Sequence, residues 1–430
     1  MDLWADFDGN NHYTPDAAEQ ERTGILRVPR RLSDRAILSL LRDWLLQDYA
    51  AAYCRALGAT RIFRRCYWID ALGSDAKAGL EAPATLESTE PTRGGKGRKQ
   101  KAQEALPLAL SPLVSLAQAL AQESKPITLY GLILAAGSSK RKETRTQENG
   151  ATPTRMITLP GGHGIVHASW LEAAPTLLKE IEQTPAIFLL NPFGSTMFTH
   201  DDLAPLYQRA VPTELCLLIP HKQITARLQD AAVAPAQASA LTALLRSDRW
   251  KTLLTGEEGQ VVDQFIDLFV ASLQRHFSLP VQTIAFPLPI GPAAVEAMPY
   301  TLLFATRRQD SLLCMNDAIY LHHARITEQS QRGVLAEEWF LAQQQARREQ
   351  ALRDLYRHIC ESGRAKRIRR WPDLRQQVLM DRFGQFSVDE YNAIIQQLLQ
   401  NGEVRCSWRL PAAEVEAERI PGNDDTLVWR

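Results

Sequence analysis

Four groups of residues have types and spacings suited to chemistry. Asn191-Pro192-Phe193-Gly194 follows the apolar run Ala186–Leu190. An amide at a strand end can accept a ligand N–H, and an aromatic ring beside it can stack on a planar base. The same tetrapeptide also suits an ordinary Asn-Pro turn. Trp68-Ile69-Asp70-Ala71-Leu72-Gly73 places a carboxylate and a glycine at a second strand end. A glycine there lets backbone approach a ligand closely, although one glycine serves a plain strand exit equally well. Gly131 to Arg141 (GLILAAGSSKR) runs from a strand into a loop centred on Gly137. The fourth group is the basic run Arg364, Lys366, Arg367, Arg369 and Arg370, followed by Arg375. Such a run is either a solvated face or a set of phosphate contacts.

Other candidates carry less. Gly161-Gly162-His163-Gly164 reads as a turn, because a phosphate cradle needs a helix start directly after it and the next helix begins only near Trp170. The histidines show no HExxH motif and only one HxxxH spacing, His163 to His167, so no metal site is expected. Cys54, Cys66, Cys216, Cys314, Cys360 and Cys406 are scattered without a CxxC pair, which predicts buried thiols in a reducing, cytoplasmic setting. No uninterrupted apolar stretch is long enough to span a membrane.

The elements that would position these groups follow from periodicity. A long amphipathic helix is expected over 32–57, then strands at 66–72 and 127–135, separated by a Gly- and Lys-rich loop insertion at 74–108. Strands at 155–159, 186–190, 214–219, 283–286 and 300–306 alternate with helices at 170–183, 201–209, 221–229, 240–254 and 261–276. That alternation predicts an α/β fold with a mostly parallel sheet. The last two strands have no helix between them and predict an antiparallel edge. Beyond 330 the pattern changes to helices at 335–362, 373–383 and 388–400 and two strands at 404–410 and 426–429, the layout of a winged helix. The expected division is an acidic mobile arm (1–24), an α/β domain (25–330) and a helical linker with winged helix (331–430).

Charge is concentrated in appendages. Lysine and arginine total 49, matched by 49 aspartates and glutamates. This balance excludes a uniformly basic protein but not local patches. The arm and the segment 411–425 are acidic, whereas 93–101 and 364–375 are basic.

Two resemblances give these groups a context. The 131–141 segment resembles the opening signature of sugar- and molybdopterin-type nucleotidyltransferases, but Pro153 is followed by Thr154 and Arg155 where that signature continues Pro-Lys. The wider set resembles the three-Cys-motif partner protein family, TcmP, a prokaryotic group with a class I methyltransferase-like Rossmann domain and a C-terminal winged helix. The matching pieces are Tyr67–Ala71, Leu189–Gly194, Glu214–Ile219 with Ile224 and Arg227, and Tyr300–Thr306 followed by Met315-Asn316-Asp317, spread over about 30–405. The resemblance implies a site for S-adenosylmethionine at Asp70, Gly73 and Gly137, and a target-base site at Asn191, Pro192 and Phe193. It also implies a three-cysteine partner, and DNA or RNA contact through Arg364, Lys366, Arg367, Arg369 and Arg370.

This chain departs from the family at each ligand position. Asp70-Ala71-Leu72-Gly73 lacks the Phe-Ala-Gly step, Ala135-Ala136-Gly137 replaces the acid closing the second strand, and Asn191 replaces an aspartate. The expectation is a degenerate S-adenosylmethionine methyltransferase-like domain acting as a binding or scaffold component with a nucleic-acid-related partner. An active nucleic-acid methyltransferase and a nucleotidyltransferase are the alternatives. The winged helix would serve DNA or protein docking.

Overall fold

A computed structural model describes residues 34–72, 111–135, 155–158, 162–194, 196–255, 258–290, 294–331, 337–409 and 419–430. The arm 1–24, the 74–108 insertion, Gly73 and Gly137 lie outside the described residues.

The chain begins with α1 (Asp34–Trp44), which passes through a π-helical turn (Leu45–Ala50) into α2 (Ala51–Ala59). Then come β1 (Arg65–Ala71), α3 (Ser111–Ala121), β2 (Thr128–Leu134), β3 (Arg155–Thr158), β4 (Gly164–His167), α4 (Trp170–Glu180) and β5 (Ala186–Leu190). The domain continues through α5 (His200–Tyr207), β6 (Thr213–Pro220), α6 (His221–Val233), α7 (Pro235–Leu245), α8 (Trp250–Leu253) and α9 (Glu258–Gln274). It closes with β7 (Gln282–Ile290), β8 (Ala294–Ala305) and α10 (Gln309–Gln331).

The strands form one 8-stranded sheet in the order β3-β4-β2-β1-β5-β6-β8-β7. Pairing is parallel from β4 across to β6 and antiparallel at β3, at β6–β8 and at β8–β7. The expected α/β class, mostly parallel sheet and antiparallel edge therefore hold. The order reverses at β1 and β5, which places a topological switch point at their carboxyl ends.

Both faces of the sheet are covered, which is why its strands read as continuous apolar runs. Ile69, Phe188, Leu190, Leu215 and Leu217 point to the layer of α4–α9. Their alternates Trp68, Ile187, Leu189, Cys216 and Leu218 point to α1–α3 and α10. Gly131 is fixed by packing: a Cβ there would fall 1.7 Å from Leu113 Cδ2 on α3. Its N–H donates to the buried His163 Nδ1 at 3.0 Å. The first glycine of the 131–141 segment thus seats a helix on the sheet.

Three segments differ from the sequence expectation. Gly164–His167 is a strand, β4, because its four residues bridge β2 and the edge strand β3. Four residues give too little alternation to register as periodicity. The segment 309–331 is a 23-residue helix, α10, whose Leu312, Met315 and Ile319 are buried at helical spacing. The strands β7 and β8 run to 9 and 12 residues because they pair along a long antiparallel ribbon.

The C-terminal module consists of α11 (Glu337–Lys366), α12 (Trp371–Asp381), α13 (Val388–Gln400), β9 (Val404–Ser407) and β10 (Thr426–Trp429). Ser387 caps α13 in the capping box its sequence predicts. The module has its own core around Leu355, Trp371, Val378, Tyr391, Ile395 and Leu427. It is stapled to the α/β domain by α10. Asn316 is fully buried; it donates to Phe386 O at 2.8 Å and accepts Gly384 N–H at 2.8 Å. Asp317 Oδ1 accepts Val388 N–H at 2.8 Å. Gly384 has φ of +73°, and a Cβ there would meet Ile319 at 2.4 Å, so only glycine closes this turn against α10.

Candidate functional site

The carboxyl ends of β1, β2, β5 and β6 open into a cleft of about 430 Å³. Ala71 and Leu72 follow β1, Leu134 ends β2, Ser169 and Trp170 begin α4, Asn191 follows β5, and Gln223 comes from α6. Asp34 and Leu38 bring the start of α1 to its wall. Of the expected site residues, Asn191 lines this concavity at the switch point.

Three of the polar groups at this end of the sheet, on Asp70, Asn191 and Gly194, are engaged within the protein. Asp70 is 3 % exposed, and its Oδ2 receives Arg42 Nε at 2.6 Å. Its Oδ1 receives Leu72 N–H at 3.2 Å. The carboxylate expected to face a cofactor is instead a buried ion pair tying α1 to β1. Ala135, at the end of β2, is buried and offers no side-chain acceptor for a ribose.

Asn191 lines the cleft, but its amide is turned into an Asx turn. Its Oδ1 accepts Phe193 N–H at 3.0 Å, and its Nδ2 points to Gln223 Oε1 at 3.4 Å. Arg227, reaching back from α6, donates to Gly194 O and fixes the turn. Pro192 is buried. Phe193 is fully buried, edge-on to Phe265 and Phe269 with centroids 5.3 and 5.4 Å away. This corrects the expected base-stacking role: the ring is a core residue filling the space between the β5 end and α9. The sequence shows an aromatic after Asn-Pro, but only the packing of α9 decides which way it faces.

Among the described lining residues of the cleft there is no lysine, arginine or histidine. The start of α4 at Ser169 and Trp170 is then the group at the cleft that could offset part of a triphosphate's charge. Nearby His221 bonds Thr301 Oγ1 at 2.8 Å, and burial lowers its pKa, favouring the neutral imidazole. Among the described residues no three His, Cys, Asp or Glu side chains gather as metal ligands. None of the described helices is long and apolar enough to cross a membrane.

The basic run ends α11 and turns into α12. Arg367 adopts φ of +50°, which stops the helix. Ile368 O accepts Trp429 Nε1 at 2.9 Å and Arg369 O accepts Leu427 N–H at 2.6 Å, so the corner is pinned to β10. Arg364 donates to Arg430 O at 2.9 Å and to Glu403 at 3.2 Å. Lys366, Arg367, Arg369 and Arg370 are exposed. Cations at this corner complement the carbonyl end of α11. The helix that would enter a groove of DNA, α13, reads VDEYNAIIQQLLQ and carries no lysine or arginine.

A second buried polar group, missed by sequence reasoning, lies at the opposite end of the sheet. Glu214 on β6 is fully buried; its Oε2 accepts Ser311 Oγ at 2.6 Å, and Ser311 in turn bonds Tyr49 OH at 2.9 Å. Burial pushes the Glu214 carboxyl up to about 7, opposed by the bond from Ser311. Its only sequence signal is a charge inside an otherwise apolar strand, Glu214-Leu215-Cys216-Leu217-Leu218-Ile219.

Comparisons with protein-family models, with curated proteins and with solved structures return no match to this chain.

Proposed function

We propose that this protein is a degenerate class I methyltransferase-like protein acting as a docking component, with its C-terminal module, a winged helix, facing a protein partner. The observation that carries this reading is the Arg42–Asp70 pair. It occupies the one strand-end carboxylate that S-adenosylmethionine would need, and the end of β2 supplies no replacement. The residues present therefore do not fit that cofactor, and no methyl-transfer step is derived. The sheet supports the ancestry: a doubly wound order with an antiparallel strand, β8, inserted before the last parallel one.

The absence of cations on α13 supports protein over nucleic acid as the partner of the winged helix, because DNA affinity is built largely from phosphate contacts. A three-cysteine protein remains the partner implied by the resemblance to TcmP.

Calorimetry tests the cleft. No heat is expected with S-adenosylmethionine, S-adenosylhomocysteine or ATP with magnesium. Micromolar binding of adenosylmethionine would restore the active methyltransferase, and binding of the triphosphate would restore the nucleotidyltransferase. Duplex DNA titrated at increasing salt tests the docking half: affinity falling steeply with salt, and lost on replacing Arg367, Arg369 and Arg370 by Ala, would assign the module to nucleic acid.

A further inference from the structure

We propose that the groove between α11 and α13 receives an amphipathic helix of a partner protein, one whose apolar stripe is flanked by carboxylates. This rests on the reading of the C-terminal module as a docking device and names its site and the chemistry of its ligand. The groove has a volume of about 700 Å³. Along α11 it runs from Leu352 to Arg364, 13 residues or about 18 Å, room for roughly three turns of a helix. Its floor is apolar, built from Leu352, Tyr356, Cys360 and Ile394. Laying an apolar helix face into such a groove is a recurrent mode of recognition.

Charge selects the occupant. Of the three carboxylates that line the groove, two are already engaged. Glu390 accepts Ser387 N–H at 2.8 Å through Oε2 and Arg348 through Oε1. Glu403 accepts Tyr356 OH at 2.7 Å, Cys360 Sγ at 3.2 Å and Arg364 Nη2 at 3.2 Å. The α11 rim then presents Arg353 and Arg357, one turn apart and both exposed. Arg357 has only an exposed i,i+3 pair with Asp354 at 3.4 Å, the kind worth little. Both guanidinium groups keep donors for an incoming carboxylate, and Glu361 is the single lining acid on that rim that opposes them. Nucleic acid is the wrong occupant: α13 brings Asp389 and Glu390 and no cation to its side.

The test uses two labelled 18-residue helical peptides with leucines at i, i+3, i+4 and i+7. One is flanked by glutamates and the other by lysines, and each is titrated into the full chain by fluorescence polarisation. The glutamate peptide should bind at least roughly tenfold more tightly than the lysine peptide. The double variant Arg353→Glu, Arg357→Glu should invert that preference. Ala393→Arg, which fills the groove from an exposed position of α13, should abolish both while leaving the melting temperature unchanged. Failure of the glutamate peptide to bind, equal binding, or no inversion would overturn the proposal. So would tighter binding of a peptide of residues 2–24, which would make the groove a self-docking site. Peptides failing while DNA also fails to bind would leave a docking module with another face in use; DNA binding that responds to Arg367, Arg369 and Arg370 would instead remove the docking reading itself.

Discussion

Two concavities among the described residues treat their polar side chains in opposite ways. In the cleft at the strand ends, Asp70 is paired with Arg42, Asn191 is folded onto Phe193 and Gln223, and Gly194 O is held by Arg227. In the groove of the C-terminal module, Glu390 and Glu403 are satisfied internally but Arg353 and Arg357 are left facing outward. A ligand must replace the water around each polar group it covers, so groups already paired within the protein offer it no gain. The cleft is concave but holds Asp70, Asn191 and Gly194 bonded within the protein, whereas the groove keeps donors at its edge.

That contrast can be broken most forcefully at Arg42. Arg42→Ala leaves Asp70 as an unpaired buried charge and should cost about 3–5 kcal/mol in urea unfolding. The double variant with Asp70→Asn should recover most of that loss, and failure to recover would show that Arg42 acts through packing. A loss below about 1 kcal/mol for the single variant would mean that the pair is solvated and the carboxylate open to ligands.

Glu214 supplies a next-largest effect, as a buried acid outside both concavities. Its folded pKa of about 7 lies above the unfolded value near 4.5. The folded state therefore holds the proton more tightly, and stability is greatest below pH 4.5 as far as this group is concerned. It should fall as pH rises through 7, by on the order of 3 kcal/mol. Glu214→Gln should flatten this part of the pH profile in chemical denaturation; an unchanged profile would place the titration elsewhere.

Asn316→Ala would leave Phe386 O and Gly384 N–H without their buried partner and should cost about 2 kcal/mol. It should also loosen the C-terminal module before the α/β domain, read as early hydrogen exchange over 384–400. The smallest effect is expected at the basic corner. Ala at Arg367, Arg369 and Arg370 should shift stability by less than about 0.5 kcal/mol, since these side chains are exposed.

Much of the α/β framework was legible because its causes are local. Runs such as Ala186–Leu190 and Glu214–Ile219 are buried on both faces, and that shows as unbroken apolar sequence. Caps such as Ser387 announce their helices by residue type. The site was legible only as a place. That Asn191 lies at a strand end followed from alternation; that Phe193 turns inward did not, because its direction depends on Phe265 and Phe269, more than 70 residues away. The role of Asn316 was invisible for the same reason, since its partners lie at 384 and 386.

By itself, the sequence determined the alternation of elements and the balance of charge, with acidic and basic residues gathered in separate segments. These are properties of residue type and period, which survive without knowledge of neighbours. Tertiary structure decided which polar groups are free. Arg42 reaches Asp70, and Glu403 gathers Tyr356, Cys360 and Arg364, only once the helices pack. Hydrogen bonds act over about 3 Å, and no spacing along the chain encodes a distance of that scale between remote segments.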